Sequence, residues 1–415
     1  MKPQRSFIGP ALIYALTNAI SASIPFLMLP LLTRMLTPQE YGLVTAFTLA
    51  VTIFGALTGL SVHGAVGIRY FEQDKYNLPR YVAACLLILL ATTTTTLVCV
   101  AVLTPWLQQR LDISALWLLA AVGVSGAQFV TQIQLVLWQS SGKPWHFGLF
   151  RIAQSLIDAS LSLGLVIGLG MAWQGRVIGI AVASAIAAIM ALSFLGQKRG
   201  IQFNGSRDYV ADALRFGAPL VAHTLGGLLI TTGDKMVVGG LMPLKELGFY
   251  TVATQVAAVL NILYDSFFKA FQPWIIENSL HEERRIEVVT TIYKALACTT
   301  LAGAAYYIAA TMGYTLLVGE QYEAGKFLLL PLILASVIRC GYFSTAIFIN
   351  VAGKNEYLAI NTTISGILGL VVAIISIPRL GVVGAAMGVV TSETINFILN
   401  FRSSLKAYPM PWGLR

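Results

Sequence analysis

Long apolar tracts alternate with short polar breaks along this whole chain, and each tract is about as long as a bilayer crossing. The tracts fall at 7–32, 42–67, 81–105, 113–138, 148–170, 178–195, 213–232, 248–271, 293–318, 327–350, 357–377 and 382–401. Apolar runs of about 18 residues or more predict transmembrane helices. The ~10-residue alternating segments of a membrane barrel are absent. The pattern predicts an all-α polytopic membrane protein with twelve transmembrane helices joined by short connections. The longest connections, 197–212 and 272–291, have no room for a nucleotide-binding or catalytic domain.

The chain restarts itself halfway. MLTPQEYGLVTAFTLA (Met35–Ala50) aligns with LMPLKELGFYTVATQV (Leu241–Val256), placing Glu40 on Glu246, Gly42 on Gly248, Thr45 on Thr251 and Thr48 on Thr254. FIGPAL from Phe7 resembles FGAPLV from Phe216, LGLV recurs at Leu163–Val166 and Leu368–Val371, and Gly179 falls on Gly384. QSSGK (Gln139–Lys143) resembles NVAGK (Asn350–Lys354). Two copies of one unit follow: a six-helix lobe over 1–196, a linker over 197–212, and a second six-helix lobe over 213–415. Six is even, so the second copy enters the membrane in the same direction as the first. The expectation is two parallel repeats around a central cavity.

Charge supplies the orientation. Arg69, Lys75, Arg80, Lys143, Arg151, Lys198, Arg199, Arg207, Arg215, Lys269, Arg284, Arg285, Lys294, Lys354, Arg402 and Lys406 fall with Lys2, Arg5 and Arg415 on the side of the termini and even-numbered connections. Arg34, Arg110, Arg176, Lys235, Lys245, Lys326 and Arg379 fall opposite. The positive-inside bias places both termini in the cytoplasm. Only 11% of residues are charged, against about 25% in a soluble chain, and mean hydropathy is +0.76. The net charge of +9 is therefore a topology signal; no basic run is long enough to form a nucleic-acid groove. The basic start MKPQRSF precedes an apolar run too long for a signal peptide and reads as a retained first span. Cys85, Cys99, Cys298 and Cys340 lie in apolar tracts without paired spacing and read as packed core thiols.

Ionisable groups at membrane depth are costly and usually face a cavity or one another. Arg151, Gln154, Ser155, Asp158 and Ser162 share one helical face in the fifth span, and Asn261, Asp265 and Lys269 share one in the eighth. Glu393, Asn396 and Asn400 do so in the twelfth, Tyr14, Asn18 and Ser21 in the first, and Ser125, Gln128 and Gln132 in the fourth. Arg339 stands in the tenth span, His63 in the second and His223 in the seventh; both histidines read as hydrogen-bonded core residues. Several polar stripes imply a shared hydrated cavity. Two readings stay open for Asp265 and Lys269, a neutralised i,i+4 pair or a cavity role. Arg151 and Lys269 are placed to snorkel to headgroups or to meet substrate. Asp234 and Lys235 read as interface anchors ending the seventh span. Pro25 and Pro30, with Gly226 and Gly227, offer places to bend the first helix of each half. The Thr92–Thr96 run bonds its own helix backbone and receives no function. The chain has no P-loop, HExxH, GxSxG or CxxC pattern, and neither a metal nor a bound cofactor is expected.

Four stretches carry a family resemblance: PLLTRMLTPQEYGLVTAF (Pro30–Phe47), GDKMVVGGLMPLKELGFYTVA (Gly233–Ala253), AGKNEY (Ala352–Tyr357) and PRLGVVGAAMGVVTS (Pro378–Ser392). With them the sequence resembles the polysaccharide transport family of the multidrug/oligosaccharidyl-lipid/polysaccharide exporter superfamily, the O-antigen flippases. The resemblance implies a bacterial inner-membrane transporter that is not an enzyme. Its cargo would be an undecaprenyl-pyrophosphate-linked oligosaccharide, turned from the cytoplasmic to the periplasmic leaflet by alternating access coupled to a proton or sodium gradient. Membrane lipids, and a polysaccharide polymerase with its chain-length machinery, would be partners. Arg339, Lys269 and Arg151 would receive the pyrophosphate, Asn18, Gln128, Gln132 and Asn261 the sugar hydroxyls, and Asp158, Asp265 and Glu393 the coupling ion. A multidrug cation antiporter of the same fold is the first alternative. It calls for an acidic, aromatic-lined cavity, and the intramembrane charges here are mixed. A membrane-embedded polysaccharide polymerase calls for a large outward loop, which the connections do not supply.

Overall fold

The computed structural model describes residues 8–111 and 113–413. Lys2, Arg5 and Arg415 of the charge pattern, and Phe7 at the start of the first span, lie outside the described residues, as do the side chains of Arg110, Lys198 and Arg199. Twelve helices are long and apolar enough to cross a membrane, and no β-strand occurs among the described residues. They are α1 (Ile8–Met35), α2 (Pro38–Leu57), α3 (Leu78–Leu111), α4 (Ala115–Ser140), α5 (Pro144–Leu163), α6 (Ala172–Arg199), α7 (Val210–Leu241), α8 (Leu244–Ser279), α9 (Arg285–Val318), α10 (Leu329–Val351), α11 (Asn355–Leu380) and α12 (Val382–Ala407). The protein is a multi-pass membrane protein. Its contacts divide it into two compact units, one running through Leu228 and the other from Leu229 onward. Asp212, at the end of the 197–212 segment, is tied into the first unit by a two-pronged contact with Arg69 and by the Tyr81 hydroxyl at 2.9 Å.

The repeated sequence builds repeated local structure. In the first unit α2 packs on α4, and α6 on α4 and α5; in the second α8 packs on α10, and α12 on α10 and α11. QSSGK and NVAGK make the same turn. Gly142 and Gly353 both take positive φ, 63° and 69°. The amide of Lys143 reaches back to the Trp138 carbonyl at 2.9 Å, and that of Lys354 to the Ile349 carbonyl at 3.2 Å. This is the helix-ending loop that left-handed glycine permits. Gly179 and Gly384 also do the same job. A methyl group at Gly179 would stand 2.8 Å from the Ser162 backbone, and one at Gly384 2.6 Å from Ile377 N. Both let the sixth helix of a unit close on the fifth, the small-residue packing that membranes favour because lipid provides no hydrophobic drive between helices. The entry to the second helix differs between copies. Thr37 and Glu40 form a reciprocal capping box ahead of Pro38 at the start of α2, whereas Pro243 precedes α8 with no side-chain cap.

The second span is not one helix. α2 stops at Leu57, and Gly59, Leu60 and Ser61 follow with φ of 73°, 46° and 57° before a short helix resumes at His63–Arg69. Two non-glycine residues in the left-handed region cost about 1–2 kcal/mol each. The break leaves backbone groups without helical partners, and Thr92 of α3 supplies one. Its hydroxyl accepts the Gly59 amide at 2.8 Å while donating to its own helix at Ile88. The Thr92–Thr96 run thus supports a broken helix as well as bonding its own turn. α1 runs through Pro25 and Pro30, and α7 through Gly226 and Gly227, as single helical segments. Of the four cysteines Cys85 and Cys340 are buried as expected, but Cys99 on α3 and Cys298 on α9 are exposed.

Gly59 and Gly142 share a left-handed backbone but differ in their surroundings. A Cβ on Gly59 would stand 2.2 Å from the Phe129 ring, and one on Gly142 meets nothing within 4 Å. Gly142→Ala should cost only the backbone term, about 1 kcal/mol. Gly59→Ala adds overpacking, for about 2–4 kcal/mol in all. Thermal unfolding of the purified variants checks the order; equal losses would mean that Phe129 does not constrain the break.

Candidate functional site

Three helices of the second unit bring charged side chains around one cavity of about 510 Å³. α7 contributes Asp234 and Lys235, α8 contributes Asn261, α10 contributes Arg339 and Tyr342, and α12 contributes Glu393 and Asn396; Thr362 and Ser365 of α11 are also part of the polar lining. Arg339 and Glu393 form the central pair. Nε of the guanidinium donates to Glu393 Oε1 at 2.9 Å, and one terminal nitrogen donates to the same oxygen. The Glu393 side chain is 11% exposed, whereas Arg339 is 41% exposed. The carboxylate is therefore seated in the wall while much of the guanidinium faces the open space. Asp234 accepts the Tyr250 hydroxyl at 2.8 Å. Lys235 is half-buried and has no hydrogen-bond or ion-pair partner among the described residues. The Asn261 carbonyl oxygen is buried and unpartnered, so the amide has spare acceptor capacity beside the cavity.

The twelfth-span stripe divides in two. Glu393 and Asn396 line the cavity, while Asn400, fully buried, joins helices. Its carbonyl accepts from Asn361 of α11 at 3.1 Å, and its own amide donates back to Asn396 at 2.7 Å. The eighth-span stripe divides likewise. Asn261 reaches the cavity, whereas Asp265 and Lys269 pair with each other at 2.5 Å with Lys269 72% exposed. An exposed i,i+4 pair contributes little to stability, about 0.3–0.5 kcal/mol.

In the first unit Asp158 meets a partner that sequence spacing does not reveal. Arg176 of α6 donates to its Oδ1 at 2.6 Å and to Ser162 Oγ at 2.5 Å. Gln128 is half-buried and Asn18 and Gln132 are exposed; none makes a side-chain hydrogen bond among the described residues. Arg151 sits 6.0 Å from the Phe147 ring of its own helix. His63 packs edge-on against Phe129 at 5.3 Å, and its Nδ1, buried, has no hydrogen-bond partner. His223 is exposed.

Of the residues singled out from sequence, the structure thus gathers Arg339, Glu393 and Asn261 around one space. Asn396 of the twelfth-span stripe joins them, as do Asp234 and Lys235, read from sequence as a span end; Tyr342, Thr362 and Ser365 are new. Asp234 and Lys235 do not end the seventh span, because α7 continues to Leu241. The available signal was their depth within an apolar tract that resumes at Met236. A charged dipeptide in that setting marks a lined cavity as readily as an interface.

The sequence matches the family model described as polysaccharide biosynthesis protein over residues 10–279. The chain belongs to the polysaccharide biosynthesis protein family. That match spans the first two resemblance motifs and leaves Ala352–Tyr357 and Pro378–Ser392 beyond its end. A Haemophilus influenzae protein of the Lsg locus, protein 1, is 21% identical over 367 residues, covering 86% of this chain and 88% of that protein. In fold the chain is similar to the lipid II flippase MurJ in an inward closed conformation, with a TM-score of 0.69 at 11% identity over 95% of this chain and 87% of that one. It is also similar to an inward-facing multidrug resistance MATE family transporter of the MOP superfamily, with a TM-score of 0.64 at 16% identity over 94% and 97% of the two chains. The all-α fold with twelve spans is thus shared with these two solved structures.

A hydrated cavity and a dry helix contact are separable by chemistry. In a background lacking the four native cysteines, Asn261→Cys should react with a small water-soluble thiol reagent at least tenfold faster than Asn400→Cys. Equal rates would mean that water does not reach the cavity. Asp158 and Arg176 make a second test. Asp158→Ala and Arg176→Ala should each lower stability by more than their share of the double variant, with a coupling of about 0.5–3 kcal/mol in a thermal-unfolding cycle.

Proposed function

We propose that this family member is a transporter that turns an undecaprenyl-pyrophosphate-linked oligosaccharide from the cytoplasmic to the periplasmic leaflet of a bacterial inner membrane, both termini lying in the cytoplasm. No bond is made or broken; the substrate changes sides by alternating access. Membership in a polysaccharide biosynthesis family supports the cargo class, and the fold shared with a lipid II flippase supports the mode of action.

One observation carries the reading. Both carboxylates on the wall of the second-unit cavity are already engaged, Asp234 by Tyr250 and Glu393 by Arg339, whereas Lys235 and much of Arg339 remain available. Asp234, Lys235, Arg339 and Glu393 sum to no net charge, since the Tyr250 hydroxyl binds Asp234 without neutralising it. What suits a pyrophosphate is the free donors of Lys235 and of the open part of Arg339. A guanidinium held by one carboxylate oxygen keeps donors free for phosphate oxygens, and such charge-assisted bonds are shorter and stronger than neutral ones. Asn261, Thr362, Ser365 and Asn396 offer hydrogen bonds to sugar hydroxyls. The MATE neighbour raises the alternative of a cationic drug; the pairing of Glu393 with Arg339 and the presence of Lys235 in the same lining weigh against it.

Coupling to a proton or sodium gradient belongs to the same proposal. Glu393 is placed to exchange its hold on Arg339 for an ion, which would return the guanidinium to the substrate. Asp158 with Arg176, and Asp265 with Lys269, are the other pairs in which an ion could replace the cation. Moving one charge through the full potential supplies about 2.3 kcal/mol per 100 mV, enough to bias a two-state cycle.

The test is flipping of a fluorescent undecaprenyl-pyrophosphate oligosaccharide by the full-length protein in liposomes. Arg339→Ala should weaken substrate binding by about 2 kcal/mol, roughly thirtyfold, at unchanged protein level, and Lys235→Ala several-fold. Undiminished flipping by Arg339→Ala removes that residue from the site. Transport of an organic cation but not of the lipid-linked sugar would establish the drug-antiporter reading instead.

A further inference from the structure

A second cavity, of about 240 Å³, lies in the first unit at the helix ends joined by the 70–78 and 141–143 connections. Its wall holds two polar side chains with no protein partner among the described residues. Gln134 and Trp138 stand one turn apart on α4 and are only 5% and 7% exposed. Neither the carboxamide nor the indole N–H has a hydrogen-bond partner among the described residues, although both side chains line the cavity. The residues are buried, but their polar atoms are not sealed off and face whatever occupies the cavity; such groups ordinarily find a partner. The Trp138 ring is wedged edge-on between Phe150 and Phe194, each at 5.3 Å, so its N–H has a fixed direction. Lys143, half-buried, and His146, exposed, also line the space, and no carboxylate does. Leu78 and Phe194 are part of its apolar surface.

Oriented neutral donors, an ammonium without a counter-ion and an apolar wall together define a site for a phosphate ester attached to hydrocarbon. We propose that this cavity holds the headgroup phosphodiester and first acyl carbons of an anionic phospholipid, bridging α3, α4 and α6. The lipid oxygens accept from Gln134, Trp138 and Lys143, and the chain carbons lie against Leu78 and Phe194. This site is separate from the transport cavity and does not depend on the identity of the cargo.

Native mass spectrometry of the full-length protein with phosphatidylglycerol, phosphatidylcholine and inorganic phosphate tests it. Wild type should retain phosphatidylglycerol at least fivefold better than phosphatidylcholine. Gln134→Leu, which keeps size and removes only the donors and acceptor, should lose that preference, as should Lys143→Ala. Lys75→Ala, which removes an exposed charge outside the cavity, should keep it. A second readout is thermal unfolding. Added phosphatidylglycerol should raise the midpoint of wild type and of Arg339→Ala but not of Gln134→Leu. Absence of headgroup preference in wild type, or full preference in Gln134→Leu, overturns the proposal. Displacement of the lipid by millimolar inorganic phosphate overturns it too, by making the occupant a soluble phosphate.

Discussion

Lipid offers no water to an ionised group, and this single constraint accounts for most of the polar architecture. A charge at membrane depth is tolerated only when it is paired or faces a hydrated space. Arg339 with Glu393 and Asp158 with Arg176 meet the condition by crossing between helices. Asp234 meets it through the Tyr250 hydroxyl and Asn400 through Asn361. Each solution also ties particular helices together, so the groups a membrane penalises most become the ones that fix helix position. Where pairing is incomplete, as at Lys235 and at the exposed part of Arg339, the remainder opens on a cavity. That incompleteness is the physical basis for assigning a ligand there.

The same constraint governs the backbone. An interrupted helix exposes amides and carbonyls that lipid cannot satisfy, so a break persists only where neighbours supply partners. The break at Gly59–Ser61 is held by the Thr92 hydroxyl and filled by the Phe129 ring. The equivalent helix of the second unit, α8, runs unbroken from Leu244 to Ser279. Two copies of one ancestral plan have thus diverged in what they hold. The first carries a fractured second helix and the second carries the charged cavity. The turns at Gly142 and Gly353 and the close crossings at Gly179 and Gly384 remain alike, because they rest on backbone geometry that few side chains allow.

The class of the protein could be read from sequence because each span satisfies its own backbone hydrogen bonds and meets lipid on its own. Length and apolarity therefore report a helix without reference to any other segment. The internal repeat was legible as well, because its matching stretches are short and contiguous in the chain. Periodicity also showed which polar residues share a face, as for Glu393, Asn396 and Asn400. It could not say what that face meets. Only tertiary packing separated Asn396 at the cavity from Asn400 in a helix contact, gave Asp158 its partner Arg176, and placed Asp234 and Lys235 around a space instead of at a helix end. Partner choice depends on how helices far apart in the chain rotate against one another. In a membrane, helix–helix contacts and helix–lipid contacts are equally apolar, so the hydrophobic pattern carries no record of that rotation.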